Sequence, residues 1–318
     1  MEKFAVNVSS EIGRLEGVIL HTPGHEVENM TPENAERALY SDILNLSVAS
    51  KEYTQLKGVL KKVTQTFEVT ELLAGVLKNP RSKELLVRTI CQQEEAFDDT
   101  AFLLSLQPEQ LAKQLIEGVV LRRDNLTKFL SQERYSLRPL HNFLFTRDAS
   151  MTMWNEVLLG KMANKVRERE SLIMEAIFRE HPVFGVNTHN PEQLALHPAM
   201  AKNISIEGGD VEIASDDVIV VGTGCRTSTE GIDLIAEIIK EKKRGPKHII
   251  VQQLPHTPES FIHLDMTFTF LDRNACMVYE PLILKNPKYH TIKITIDNGK
   301  VVSISEEENL LKALSKVG

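Results

Sequence analysis

The chain has 318 residues, 42% of them hydrophobic and 25% charged, enough for one large domain or two ordinary ones around a sizeable core. A disulfide-stapled miniprotein and a disordered chain are excluded. Lys plus Arg number 37 against 44 Asp plus Glu, a net charge of -7 with no basic block, which excludes nucleic acid as the expected partner.

In chain order, Leu15-Glu16-Gly17-Val18-Ile19-Leu20-His21 reads as a strand ending at the turn Thr22-Pro23-Gly24. A helix is predicted near residues 51–66, with Leu56, Val59, Leu60 and Val63 on one face. From about Glu71 to Leu130 the pattern is helical throughout, with Leu111, Leu115 and Val119 at helical spacing, and strand character returns only around Tyr135-Ser136-Leu137-Arg138-Pro139.

Three later stretches share one plan. Asp148 opens a strand that turns at Trp154-Asn155-Glu156 into Val157-Leu158-Leu159-Gly160, with a helix from about Val166 to Glu180. Asp210 opens Val211-Glu212-Ile213, which turns at Ser215-Asp216-Asp217 into Val218-Ile219-Val220-Val221-Gly222, with a helix from about Thr229 to Lys243. Asp265 opens Met266-Thr267-Phe268-Thr269-Phe270, which turns at Asp272-Arg273-Asn274 into Cys276-Met277-Val278-Tyr279. Each is an acid, an alternating strand, a tight polar turn and a more continuously apolar strand, the signature of a β-hairpin. The leading acids recur at a spacing of roughly 60, so the unit is a small α/β module that must pack against its neighbours. The sequence thus predicts a first module over residues 1–70, an inserted helical subdomain over 71–134, and further modules over 135–318 that complete one domain with 1–70.

Each repeat places an acid at the mouth of its hairpin: Asp148, Glu207 with Asp210 in Glu207-Gly208-Gly209-Asp210, and Asp265 beside His263. If the modules are related by rotation about a common axis, these carboxylates and the histidine converge on one pocket. Carboxylates without intervening cations suit a cationic substrate, and a planar guanidinium can be gripped by two at once. One Asp before a strand is an ordinary turn residue; three in register, one with a histidine beside it, point to a site. The paired glycines allow close backbone approach or a positive φ. His263-Leu264-Asp265 also suits a metal ion, but His181, His189, His197 and His256 follow no ligand spacing, and no metal is expected. Arg167 and Arg226 both follow a second strand near the start of a helix, where two arginines could bind a carboxylate; the run Arg167-Glu168-Arg169-Glu170 also reads as a solvated surface.

Cys91, Cys225 and Cys276 are odd in number and far apart, neither a disulfide framework nor a zinc site, and a reducing cytoplasm fits them best. Cys91 and Cys276 read as inert core thiols. Cys225 follows Gly222-Thr223-Gly224 and adjoins Arg226, yet nothing in the sequence ties it to the acids. No apolar run reaches the roughly 20 residues that span a bilayer, and Met1-Glu2-Lys3-Phe4-Ala5 leads into polar residues, so a soluble, unexported protein without a membrane partner is expected.

Ser10-Glu11-Ile12-Gly13-Arg14-Leu15 with Thr22-Pro23-Gly24, then Asn142-Phe143-Leu144-Phe145-Thr146-Arg147-Asp148, Glu207-Gly208-Gly209-Asp210 and His263-Leu264-Asp265-Met266-Thr267-Phe268-Thr269 resemble, in this order, the motifs of the arginine deiminases. The resemblance implies a pentein-type α/β propeller of repeated hairpin-plus-helix modules, and hydrolysis of L-arginine to citrulline and ammonia through a covalent cysteine-thiouronium without cofactor or metal. It implies that Asp148 and Asp265 bind the guanidinium, Glu207 and His263 handle protons, Arg167 and Arg226 hold the substrate carboxylate, and Asn142 and Phe145 line the pocket. Where the family tends to have two adjacent acids near the end of the first module, this chain has Ser41-Asp42. The family's nucleophilic cysteine belongs to a glycine-rich motif in a fifth module, and this chain stops at Lys316-Val317-Gly318 without it. The resemblance therefore implies a truncated form, or a non-catalytic arginine-binding or regulatory homologue, inactive alone and with an open module face that favours self-association.

Overall fold

The structure is a computed structural model that describes residues 3–30, 40, 43–194, 202–243, 245–285 and 288–317. Ser41 and Asp42 lie outside them. The chain divides into two compact units, the first made of residues 1–4, 15–146 and 164–185 and the second of 5–14, 147–163 and 186–318.

In the first unit, β1 (Gly17–Leu20) pairs in parallel with β2 (Gln65–Glu68), and the crossover between them carries α1 (Leu46–Val63). The predicted apolar face of α1 is not buried: Leu56, Val59 and Val63 are all exposed. Polar contacts hold the helix instead. The Tyr53 hydroxyl accepts from the His21 amide at 3.1 Å, and Lys57 Nζ donates to Thr22 Oγ1 at 3.2 Å and to Glu68. Then follow α2 (Val69–Leu77), α3 (Pro80–Gln93) and α4 (Pro108–Glu117), joined further along the chain by α5 (Glu168–Glu180). Asn79 caps α3 by accepting from the Arg81 and Ser82 amides, and Pro80 sits at the first helical position, where its missing N–H costs nothing. Leu73, Leu77, Leu111, Leu115 and Ile173 recur at helical spacing and are buried. Val119 does not continue α4: Gly118 at φ 86 breaks the helix, and Val119–Val120 form β3 against β4 (Tyr135–Leu137).

In the second unit, the hairpin of β5 (Ser150–Met153) and β6 (Glu156–Leu159) turns at Trp154, whose φ of 55 tightens the corner, and β7 (Thr188–His189) pairs in parallel with β6. A five-stranded sheet follows in the order β14-β13-β10-β9-β8, where β8 is Val211–Ile213, β9 Val218–Thr223, β10 Lys247–Gln253, β13 Thr291–Asp297 and β14 Lys300–Glu307. Its interior strand β9, between β10 and β8, is apolar without alternation because both faces are covered. Ile219 and Val221 join one core with Ile235 and Ile239 of α6 (Thr229–Glu241); Val218 and Val220 join another with Phe268 and with Leu310 of α7 (Leu310–Ser315). Ser228 caps α6, its hydroxyl accepting from the Gly231 amide at 3.1 Å. The third hairpin, β11 (Phe268–Asp272) with β12 (Ala275–Val278), forms a sheet of its own.

The hairpins therefore stand at the three predicted places. Their modules have one strand more than the sequence suggested: after the helix, a strand returns parallel to the second, as β2 does to β1, β7 to β6 and β10 to β9. After β12 this does not happen; β13 and β14 extend the neighbouring sheet by pairing antiparallel to β10.

Candidate active site

Three segments of the second unit bring their polar ends together. Asp148 precedes β5, Glu207 to Asp210 form the corner before β8, and His263 lies just before β11. Asp148 is buried, and its Oδ1 accepts from the Gly209 amide at 3.1 Å. Glu207 is fully buried; its Oε1 accepts from the Ala163 amide at 3.0 Å and its Oε2 lies 3.0 Å from His263 Nε2. The other ring nitrogen, Nδ1, is 4.0 Å from Asp148 Oδ1. His263 thus stands between two carboxylates from residues 115 and 56 positions away in the chain.

The Gly208-Gly209 pair earns its place through approach and not through a positive φ, since neither is among the left-handed residues. A Cβ on Gly208 would lie 1.9 Å from the Arg147 carbonyl oxygen, and one on Gly209 would lie 2.7 Å from His263 Nδ1. Arg147 pins the same corner from its other side. Its Nε donates to the Gly208 carbonyl at 3.0 Å and its Nη2 to the Val211 carbonyl at 2.6 Å, while Nη1 and Nη2 fork onto Glu11 at 3.2 and 2.9 Å.

These surroundings move the site's titrations. Burial alone would lower the His263 imidazole, but its bond to Glu207 and the charges of Asp148, Asp210 and Glu207 outweigh that and raise it. Burial pushes Asp210, which accepts from the Leu264 amide at 2.9 Å, up to about 7 against the pull of His263. Asp265 is more exposed; partial desolvation and the charge of Asp148 raise it, and His263 draws it back. Glu212, two residues past Asp210, is pushed up to about 8 by burial and by Glu11 and Asp265, more than Arg147 offsets. At neutral pH the cluster holds protons as well as negative charge.

Arg226 stands 3.6 Å from Glu207 Oε1 and is largely buried. The other predicted residues, Asn142, Phe145 and Arg167, belong to the first unit. Phe145 is exposed and Asn142 buried. The reading of Arg167 as a solvated surface residue is overturned. It is 3% exposed and forks onto Glu170, with Nε 3.2 Å from both carboxylate oxygens and Nη2 2.9 Å from Oε2, because these residues face one another one helical turn apart. Its Nη2 also reaches the Asn142 carbonyl at 3.5 Å.

Cys225 precedes Arg226 and makes no hydrogen bond to the acid cluster that the structure records. Its thiol is pushed up, by burial first and then by Asp210 and Glu207, against the pull of Arg226. Burial likewise pushes up Cys91 and Cys276. Asp148, Glu207 and His263, although distant in sequence, offer one donor atom each within 4.8 Å of one another, a grouping that sequence spacing does not reveal. Arg147, Glu11, Glu212 and Thr227, which takes the Glu207 amide on its hydroxyl at 3.2 Å, were not anticipated as parts of the site. Arg147, directly before Asp148, and Glu11, in Ser10-Glu11-Ile12-Gly13-Arg14-Leu15, each lay within a motif; Glu212 and Thr227 carried no such signal.

Among solved structures, an amidinotransferase of the saxitoxin biosynthetic pathway from Microseira wollei superposes with a TM-score of 0.50 over 90% of this chain and 71% of that one, at 14% identity. At such identity the likeness concerns the fold alone, and it makes this a pentein-type α/β protein. The profile of the arginine deiminase family matches residues 36–317, and the chain belongs to that family. It is 30% identical over 285 residues to an arginine deiminase of Listeria monocytogenes serotype 4a, covering 86% of this chain and 68% of the relative. To an arginine deiminase of Bacillus cereus it is 28% identical over 332 aligned positions, covering 99% and 79%.

Proposed function

We propose that the acid cluster of the second unit binds the guanidinium of L-arginine, and that these residues serve hydrolysis of arginine to citrulline and ammonia. The observation that carries this reading is His263 held between Glu207 at 3.0 Å and Asp148 at 4.0 Å. A planar cation with hydrogen-bond donors on every edge suits such a set of carboxylates. Asp148 and Asp265 grip its nitrogens. A thiolate adds to the guanidinium carbon; His263, whose raised pKa keeps it a proton donor near neutrality, protonates the departing ammonia, leaving a thiouronium. Water, losing a proton to the His263–Glu207 pair, then adds to that carbon and expels the thiolate, which leaves citrulline. Family membership suggests substrate-holding roles for Arg226, Arg167, Asn142 and Phe145, with no metal or organic cofactor.

Burial raises the thiols of Cys91, Cys225 and Cys276, and we assign the nucleophile to none of them. The same observation favours a second reading, arginine binding without turnover. Calorimetric titration with L-arginine tests the first step: saturable binding is expected, and Asp148→Ala or Asp265→Ala should abolish it. Citrulline formation by the chain alone should be at background and should appear when the C-terminal segment of an intact relative is supplied. Turnover by the chain alone that Cys225→Ala abolishes would make Cys225 the nucleophile; no turnover even with the added segment would leave the binding reading.

A further inference from the structure

Within the first unit lies a cavity of about 350 Å³, lined by no residue of the acid cluster. Its wall holds buried donors that lack acceptors. Arg169, in the first turn of α5, is 1% exposed; Nη2 donates to the Arg138 carbonyl and Nε stands 3.6 Å from Glu94 Oε1. Neither Nε nor Nη1 has a hydrogen-bond acceptor, and neither has the hydroxyl of Tyr135 on β4. An orphaned buried donor is unfavourable, because these atoms have lost water without gaining an acceptor. Burial works against the charge of Arg169 and Glu94 offsets it in part, so this wall calls for an anionic group.

The rest of the lining limits what that anion can be. Glu94, Glu95 and Glu133 face Arg138, Lys165 and Arg169, three carboxylates against three cations. A phosphate would meet the three carboxylates, and a simple amine would leave Arg169 without an acceptor. Glu95 is held at φ 57, a left-handed conformation uncommon for such a residue, at the end of α3 where it joins the lining. The volume is at the small end of the roughly 300–1,000 Å³ typical of ligand pockets, room for a compact molecule and not for a nucleotide.

We propose that this cavity binds a free α-amino acid, its carboxylate taken by Arg169 and Tyr135 and its ammonium by Glu95 and Glu133. None of its lining residues belongs to the acid cluster, while Asn142, which also lines it, is shared with the substrate-holding residues proposed above. The full chain is titrated calorimetrically with L-alanine, L-leucine and L-glutamine, which carry no guanidinium. Saturable binding of at least one is expected, with its amide, which lacks the carboxylate, roughly tenfold weaker. Tyr135→Phe, which removes only the orphaned hydroxyl, and Glu95→Gln at the exposed rim should each weaken it about threefold to tenfold, with thermal melting confirming an intact fold. Absence of saturable binding by all three, affinity unchanged in both variants, or tighter binding of inorganic phosphate than of any of them would overturn the proposal.

Discussion

Asp210 and Glu212 lie on one short stretch at the start of β8, and the fold withholds water from both. Glu212 has no donor within close hydrogen-bond range of either carboxylate oxygen, and the Phe270 backbone only slightly offsets the burial that pushes its titration up to about 8. The folded state thus keeps a proton that the unfolded chain releases above about 4.5, so the contribution is complete below that value and is lost as pH climbs through about 8. Asp210, raised to about 7, and His263, also raised, act in the same direction. The chain should therefore lose stability between mildly acidic and mildly alkaline pH. Glu212→Gln, which keeps the shape and removes the titration, should shrink that loss by about 2–4 kcal/mol. Urea denaturation of both proteins at the two ends of the range measures it, and equal losses would show that Glu212 is ordinary.

Among the elements, the corner Glu207 to Asp210 is where backbone geometry and chemistry are least separable. Gly208→Ala would drive a methyl into the Arg147 carbonyl oxygen and push the corner away from Asp148. Arginine affinity should fall by more than tenfold, roughly the worth of one well-placed charged contact, whereas Gly245→Ala, with nothing within 4 Å, should leave it unchanged. Ser228→Ala removes the cap of α6 and should cost about 1 kcal/mol by denaturation with little effect on binding. The hairpins were legible because alternation and polar turns are local signals. The returning strands β2, β7 and β10 were not tied to the repeat, since what makes them partners is a parallel register with residues far away. The β13–β14 hairpin was overlooked although Asn298-Gly299 marks its turn plainly, because it falls outside the repeat's plan. Asp148, Glu207 and His263 could be picked out as a set; the burial of Arg167 could not, because a charged run looks the same in sequence whether its charges meet water or one another.

For the molecule as a whole, the net charge of -7 and the buried carboxylates make cations the natural ligands, and the question is which kind. Asp148, Glu207 and His263 have a spacing a divalent ion could use, but Asp148 is already engaged by Gly209, and Glu207 by Ala163 and His263. Arginine binding should survive exhaustive chelation, and elemental analysis should find no stoichiometric zinc or manganese; a bound equivalent of either would replace the organic reading of His263 with a metal centre. Among the described residues no helix is long and apolar enough to cross a membrane.

The corner at Trp154 has a practical side. This is the chain's single tryptophan, with Lys242 Nζ 5.0 Å and Lys247 Nζ 5.2 Å from its ring centroid and its Nε1 donating to the Ser215 carbonyl at 3.3 Å, all within the second unit. Its emission is a built-in reporter of that unit alone, while much of the far-ultraviolet helical signal comes from α1 to α5 in the other. Melting one unmodified sample with both optical probes gives each unit its own midpoint, and following emission during titration with arginine places the binding event without any added label.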